Sequence, residues 1–339
     1  MTDEQTEELS KLLEKPKHIV IVPHKNPDGD AMGSCLALYH FLRPNHNCHV
    51  IAPNDYPDFL KWLPGTKDVI IYENRQEEAK ALIYKADIIF TLDFNALDRI
   101  GGMETPVSES TADKVMIDHH QQPEDYASIT YSEIGISSTC EMVYNAIEAM
   151  NKKDKINSEI ATCLYTGMMT DTGSFRFPST TSQTHRIVAD LIDKGANHSD
   201  IHNRVYDTNS YHKLQLLGRA LTNLKVLEEY KTAYITLTQE ELNLFNFKKG
   251  DTEGFVNYGL SLEGIVFAVI FIENSQENII KISLRSKGDF SVNDFARNHF
   301  GGGGHINAAG GKSDLSLKDT VAKFISILPS YKNALNNEK

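Results

Sequence analysis

Cysteine is scarce in this chain. Its four copies, Cys35, Cys48, Cys140 and Cys163, form no Cys-x-x-Cys pair and no disulfide-dense pattern. That excludes a zinc ribbon or a small disulfide scaffold and points to a reducing compartment. Long apolar runs are missing too, so nothing is long enough to cross a bilayer. The charged opening MTDEQTEELSKLLEK lacks the apolar stretch of a signal peptide. A cytoplasmic protein without a membrane partner is the expectation. Positive charge is also short: 34 Lys and Arg stand against 46 Asp and Glu, a formal charge of −12. Such a balance excludes a protein that coats long or duplex nucleic acid, while a small phosphorylated ligand in a local basic pocket remains compatible with it. No repeat or low-complexity tract interrupts the 339 residues, a length at which a single core stops growing, so two domains are expected.

What is present divides the chain in two. Through the first half, short β-branched runs alternate with helical patterns: His18–Val22, His49–Ala52, Val69–Tyr72, Ile88–Leu92 and Val115–Ile117. Runs of this kind, apolar on both faces, predict an α/β fold with a mostly parallel sheet flanked by helices. Amphipathic spacing predicts helices over Ser137–Met150, Ser158–Met169 and Thr184–Lys194, the last stopped by Gly195, with a polar segment following. A long helix is predicted over Tyr211–Leu227. Beyond about Tyr230 the character changes to strands at Ala233–Leu237, Gly264–Glu273 and Asn278–Leu284, a glycine string, and a helix over Leu317–Leu328. The expected organisation is therefore a domain over residues 1–200, a linker region over 201–229, and a smaller α+β domain over 230–339.

Candidate ligands cluster at the ends of the first-half strands: His24, Asp28 and Asp30 in HKNPDGD, Asp93 in TLDFN, and Asp118-His119-His120. Asp171 in MMTDTGSF joins them. Taken singly, each has a plainer reading, since PDGD makes a respectable turn and an aspartate at a strand end often caps the next helix. Together they fall on the sheet edge where open α/β folds bind ligands. Aspartate and histidine without cysteine suit hard or borderline divalent ions such as Mn²⁺ or Mg²⁺. So many carboxylates share one site only if cations neutralise them, and a two-metal hydrolytic centre is the reading that results.

In these stretches the sequence resembles the DHH phosphoesterase superfamily over nearly the whole chain. HKNPDGDA, TLDFN, IDHH and MMTDTGSF are similar to its four motifs, and FGGGGHINAAG preceded by SLRS is similar to its Gly-Gly-Gly-His associated domain. The resemblance implies that His24, Asp28 and Asp93 hold one ion and that Asp30, Asp93, His119 and Asp171 hold the other, with Asp93 bridging both. Asp118 would then orient a neighbouring ring, and His120 would face the substrate phosphate or its leaving oxygen. A hydroxide bridging the two ions would attack phosphorus.

The resemblance also places the smaller domain across a cleft from the metals and assigns substrate binding to Arg285, Ser286, Gly302, Gly303, Gly304 and His305, with Arg99 a weaker candidate. Glycines let several amides turn toward one anion, and arginine meets phosphate with a bidentate fork. The plainer readings are a surface ion pair and a hairpin tip. The compact two-domain type resembles the nanoRNase and 3′-phosphoadenosine-5′-phosphate phosphatase group. This implies hydrolysis of short oligoribonucleotides or phosphorylated nucleotides with two divalent cations, Mn²⁺ before Mg²⁺. Rival readings are a phosphodiesterase for cyclic di-AMP or pApA, an exopolyphosphatase-like hydrolase and, from another class, a non-catalytic nucleotide-binding regulator.

Overall fold

Strand β1 (His18–Pro23) shows how the first sheet is buried: Ile19 and Ile21 enter one core, and Val20 and Val22 enter another on the opposite face. The same alternation recurs in β4 (Ile88–Leu92), and β5 (Asp113–Asp118) adds Val115 and Ile117 to the first core. With β2 (Asn47–Ala52), β3 (Ile70–Ile71) and β6 (Ile129–Ser132) they form a six-stranded sheet in the order β3-β2-β1-β4-β5-β6, parallel throughout. Helices α1 (Asp3–Leu12) and α2 (Gly29–Leu42) add Leu9, Met32 and Leu36 to the first core, whereas α3 (Gln76–Lys85) and α4 (Glu104–Glu109) add Ala79, Ile83 and Val107 to the second. The first core is completed by α5 (Thr139–Ala149), α6 (Ser158–Asp171), α7 (Ser182–Asp193) and α8 (His198–Tyr206). This is the doubly covered parallel sheet that near-continuous apolar strands require. At the β6 edge, α1 lies alongside and Gln5 Nε2 donates to the Thr130 carbonyl at 2.7 Å.

This computed structural model describes residues 1–337, and the chain divides into two units, Met1–Thr208 and Asn209 onward. The second unit contains α9 (Tyr211–Asn223) and a mixed sheet. Its strands are β7 (Lys225–Leu227), β8 (Thr232–Leu237), β9 (Phe267–Asn274), β10 (Ile279–Ser286), β11 (Gly303–His305) and β12 (Ala308–Ser313), ordered β11-β12-β10-β9-β8-β7. Only β8 and β9 pair in parallel. One core joins α9 to α10 (Gln239–Leu244) and α11 (Phe255–Leu260) around Leu216, Phe255 and Ile270. The other packs Phe295 of α12 (Val292–Phe300) and Phe324 of α13 (Leu317–Ile327) with Phe271, and takes Leu335 from α14 (Lys332–Asn337).

Two expectations are corrected. The single helix over 211–227 stops at Asn223, whose side chain donates to the Thr236 carbonyl and to Glu241 at 2.9 and 3.0 Å. Leu224 turns extended, and Lys225–Leu227 becomes β7 with Val226 opposite Ala233. That helix falls within the second unit. The polar segment after Gly195 is helix α8, started by Asn197, whose side chain accepts the Asp200 amide.

Candidate metal centre

Strand order reverses between β1 and β4, the point where open α/β sheets part their connecting loops. The loop after β1 carries His24 and Asp28, Asp30 lies in the first turn of α2, the residue after β4 is Asp93, and β5 ends in Asp118 followed by His119 and His120. Asp171 is the last residue of α6. Asp28 caps α2, its Oδ1 accepting the Asp30 and Ala31 amides at 3.0 and 3.1 Å. Asn26 steadies the same loop: its amide donates to Asn54 Oδ1 at 2.7 Å, and Asn54 Nδ2 donates back to Asn26 Oδ1 at 3.0 Å. Asp93 holds a left-handed backbone (φ 66°), a conformation that carries strain outside glycine and gathers at functional sites.

Two groups of potential ligand atoms converge, each within 4.8 Å of one another: His24 with Asp28 and Asp93, and Asp30 with His119 and Asp171. Asp93 belongs to both neighbourhoods, since Oδ2 lies 3.6 Å from His24 Nε2 and Oδ1 lies 3.5 Å from His119 Nε2. His119 Nε2 is also 3.8 Å from Asp30 Oδ2 and 3.5 Å from Asp171 Oδ2. Both rings have their other nitrogen committed: His24 Nδ1 donates to the Lys25 carbonyl at 2.9 Å and His119 Nδ1 to the Ile136 carbonyl at 3.2 Å. In a neutral ring this leaves Nε2 as a lone pair facing carboxylate oxygens. Acceptor confronts acceptor, and the arrangement is satisfied by a ring proton or by a cation standing between them.

The electrostatics state the same need. Burial works to lower both histidines, yet hydrogen bonding to Asp93 and the surrounding carboxylate charge raise His24, and raise His119 well above the ordinary value. Burial together with the charges of Asp93 and Asp171 pushes Asp30 well above the carboxylate range. Asp171 is pushed up to about 6, mainly by burial and against the pull of His119. Asp93 is held well below the range despite its burial, by the hydrogen bonds from His119 and His24. A cluster that must gather protons to balance its charge is one that divalent cations neutralise directly. The all-oxygen-and-imidazole donor set fits such ions, so the residues present fit the metals that the sequence implies.

His120 sits differently. Its Nδ1 donates to Asp118 Oδ1 at 2.7 Å, and its amide donates to Asp118 Oδ2 at 3.1 Å. Asp118 is fully buried, and it fixes the ring so that Nε2 is the nitrogen turned outward from the pair.

Sequence reasoning missed what holds the central carboxylates. The N-terminus of α5 donates to both oxygens of Asp30, from Thr139 N at 2.6 Å to Oδ2 and from Cys140 N at 2.9 Å to Oδ1, while Thr139 Oγ1 donates to Asp93 Oδ1 at 3.0 Å. Helix α2 reaches this end only because glycines line its contact with α6. A Cβ on Gly33 would lie 2.6 Å from the Cys163 carbonyl oxygen, and one on Gly167 would lie 2.8 Å from Asp30 Oδ1. The available signals were Ser138-Thr-Cys-Glu141, a helix-start pattern just beyond a cluster of acids, and the spacing Gly29-x-x-x-Gly33. The Arg99 carbonyl accepts the Lys25 amide at 2.7 Å.

In the second unit, strand register aligns Arg285, Ala308 and His305 on one row across β10, β12 and β11. The glycine string is employed otherwise than expected. The Gly301 and Gly302 amides both donate to the Ala296 carbonyl, and the Gly304 amide to Asn293 Oδ1. A Cβ on Gly302 would lie 1.8 Å from the Gly310 carbonyl oxygen and one on Gly304 2.4 Å from that of Ala308. These glycines permit close strand packing, and three of the four amides are already committed within the chain. Ser286 is buried, and its hydroxyl donates to the Phe290 carbonyl at 2.6 Å and accepts Asn307 Nδ2 at 2.9 Å. These bonds brace the turn after β10.

Comparison with known proteins agrees with this architecture. Residues 18–168 match the family model described as the DHH family, N-terminal domain, and residues 232–330 match the DHHA1 domain. The bifunctional oligoribonuclease and PAP phosphatase NrnA of Thermus thermophilus is 30% identical over 305 residues, covering 89% of this chain and 86% of that protein. Its namesake from Bacillus subtilis is 28% identical over 305 residues, covering 89% and 91%. A crystal structure of an exopolyphosphatase-related protein from Bacteroides fragilis is similar with a TM-score of 0.95 and 45% identity, covering 99% of this chain and 98% of that one. The chain belongs to the DHH family of phosphoesterases, with a DHHA1 domain following its DHH domain.

Proposed function

We propose that this protein hydrolyses phosphoesters in short oligoribonucleotides and in 3′-phosphoadenosine 5′-phosphate, using two divalent cations, Mn²⁺ in preference to Mg²⁺. The observation that carries this reading is the pair of Nε2 atoms, from His24 and His119, set 3.5 to 3.8 Å from carboxylate oxygens of Asp93, Asp30 and Asp171. His24, Asp28 and Asp93 would hold one cation, and Asp30, Asp93, His119 and Asp171 the other. When bound, the cations supply Lewis-acid stabilisation of phosphoryl charge and acidify a water.

The chain's own residues do the remainder. The α5 N-terminus fixes Asp30, and Thr139 fixes Asp93, so the ligand oxygens are set before substrate arrives. Asp118 keeps the proton of His120 on Nδ1, which makes Nε2 the atom that meets a substrate oxygen or exchanges a proton there. Arg285 and His305, aligned on one row, provide side chains for a substrate phosphate. The net charge of −12 supports a ligand with few phosphates. The oligoribonuclease and PAP phosphatase relatives support the substrate class. The four buried, unbridged cysteines support a reducing, cytoplasmic location.

A second reading, polyphosphate hydrolysis, is favoured by the similarity to the exopolyphosphatase-related protein of Bacteroides fragilis. Turnover with Mn²⁺ on 3′-phosphoadenosine 5′-phosphate, a tri-adenylate, pApA, cyclic di-AMP and polyphosphate separates the two. The expected outcome is fastest turnover on the first two. Release of phosphate from polyphosphate alone overturns the proposal.

A further inference from the structure

With most of the glycine string's amides committed internally, an anion in the second unit must be met by side chains, and one such side chain is not assigned above. Arg297 projects from α12 at the surface, and its guanidinium lies alongside Gly303: a Cβ built there would be 3.6 Å from both Nε and Nη2. Its Nε donates to Asn293 Oδ1 at 3.3 Å, the same oxygen that accepts the Gly304 amide at 2.9 Å. Two donors on one oxygen fix which way the Asn293 amide faces, and that side chain is buried, only 1% exposed. A buried amide thus ties an exposed guanidinium to the backbone of the glycine string. Among the described residues Arg297 forms no ion pair with a carboxylate, and Nη1 and Nη2 make no hydrogen bond within the chain.

We propose that Arg297, seated by Asn293 beside Gly303, is a phosphate-binding guanidinium of the second unit, taking a phosphodiester of an oligonucleotide one step beyond the phosphate at Arg285 and His305. The ligand class rests on the function proposed above. An ordinary surface arginine samples many rotamers and carries the entropy cost of ordering when it binds; one already tethered at Nε keeps its two terminal nitrogens parallel and ready for phosphate oxygens. Gly303 and His305 are two residues apart on β11, about 7 Å at the usual strand rise. A guanidinium beside the first therefore serves a different phosphate from an imidazole at the second. Glycine at 303 leaves the face of the guanidinium uncovered, which a larger side chain would obstruct.

The test compares wild type, Arg297→Ala and Arg297→Lys in the Mn²⁺-loaded full chain. Calorimetry would follow binding of adenosine 5′-monophosphate and of a hydrolysis-resistant phosphorothioate tetra-adenylate, and melting temperature would be recorded for each protein. Loss of one charged phosphate contact should weaken the tetra-adenylate by about ten-fold or more, while leaving adenosine 5′-monophosphate within about two-fold. Lysine should restore only part of the loss, because it lacks the fork. Equal tetra-adenylate affinity in wild type and Arg297→Ala overturns the proposal, as does equal weakening of both ligands together with a lowered melting temperature. Should wild type hydrolyse no phosphoester yet lose tetra-adenylate binding on Arg297→Ala, the functional reading falls and this assignment stands.

Discussion

The two units treat charge in opposite ways. In the first, Asp30, Asp93 and Asp118 are each no more than 2% exposed, and each meets hydrogen-bond donors from backbone or side chain. In the second, Arg285 and His305 are half-buried and Arg297 exposed, on or beside a strand whose glycines exist for close packing. Burying several carboxylates together creates a deficit that protons or cations fill, so the first unit is suited to hold divalent ions. These half-buried and exposed side chains keep contact with water. A demand for metal can thus be read from burial and donor type alone, whereas an affinity for phosphate cannot.

Three substitutions test how far this contrast holds. The largest effect is expected from Asp93→Asn, which removes a charge shared by both cation neighbourhoods while tolerating the left-handed backbone there. Turnover should vanish and bound Mn²⁺ should fall, as measured by metal analysis of the purified protein. Full activity would show that the buried acids are structural. Next comes Arg285→Ala, expected to raise KM by about ten-fold, the scale of one charged hydrogen bond, with Mn²⁺ content unchanged. An unaltered KM with depleted metal would erase the division of labour. The smallest effect belongs to Ser286→Ala, which strips Asn307 Nδ2 of one acceptor and should lower stability in urea by about 1 kcal/mol. Its KM should not move, and a large rise would return Ser286 to the ligand.

Much of the first unit was legible because residue type and strand pattern report the same thing. Strand Ile88–Leu92 is apolar in four of its five residues and buried in all five, and the acids sit where such strands end. Strand β6 was not legible: Ile-Thr-Tyr-Ser is four residues long and follows a polar loop, so its pattern is too short to register. Strand β7 was hidden because Lys225–Leu227 continues a helix-like apolar spacing, and pairing with β8 is a tertiary event. Thr139 and Cys140 escaped for a related reason. Their contribution is largely backbone N–H, and an amide has no letter in the sequence. The glycine string was visible as a motif, while its close strand packing was not, since glycine serves an amide nest and a tight strand contact equally well.

Helix α1 lies along the outer strand of the parallel sheet, and Gln5 holds a carbonyl that would otherwise be open to another chain. The far edge, β3, is only two residues long. Concentrated solutions should therefore resist strand-to-strand association at this sheet. Anyone preparing the protein for crystallography or calorimetry would do well to keep fusion partners and protease sites clear of the first dozen residues, because loosening that cover would turn a stable reagent into a sticky one.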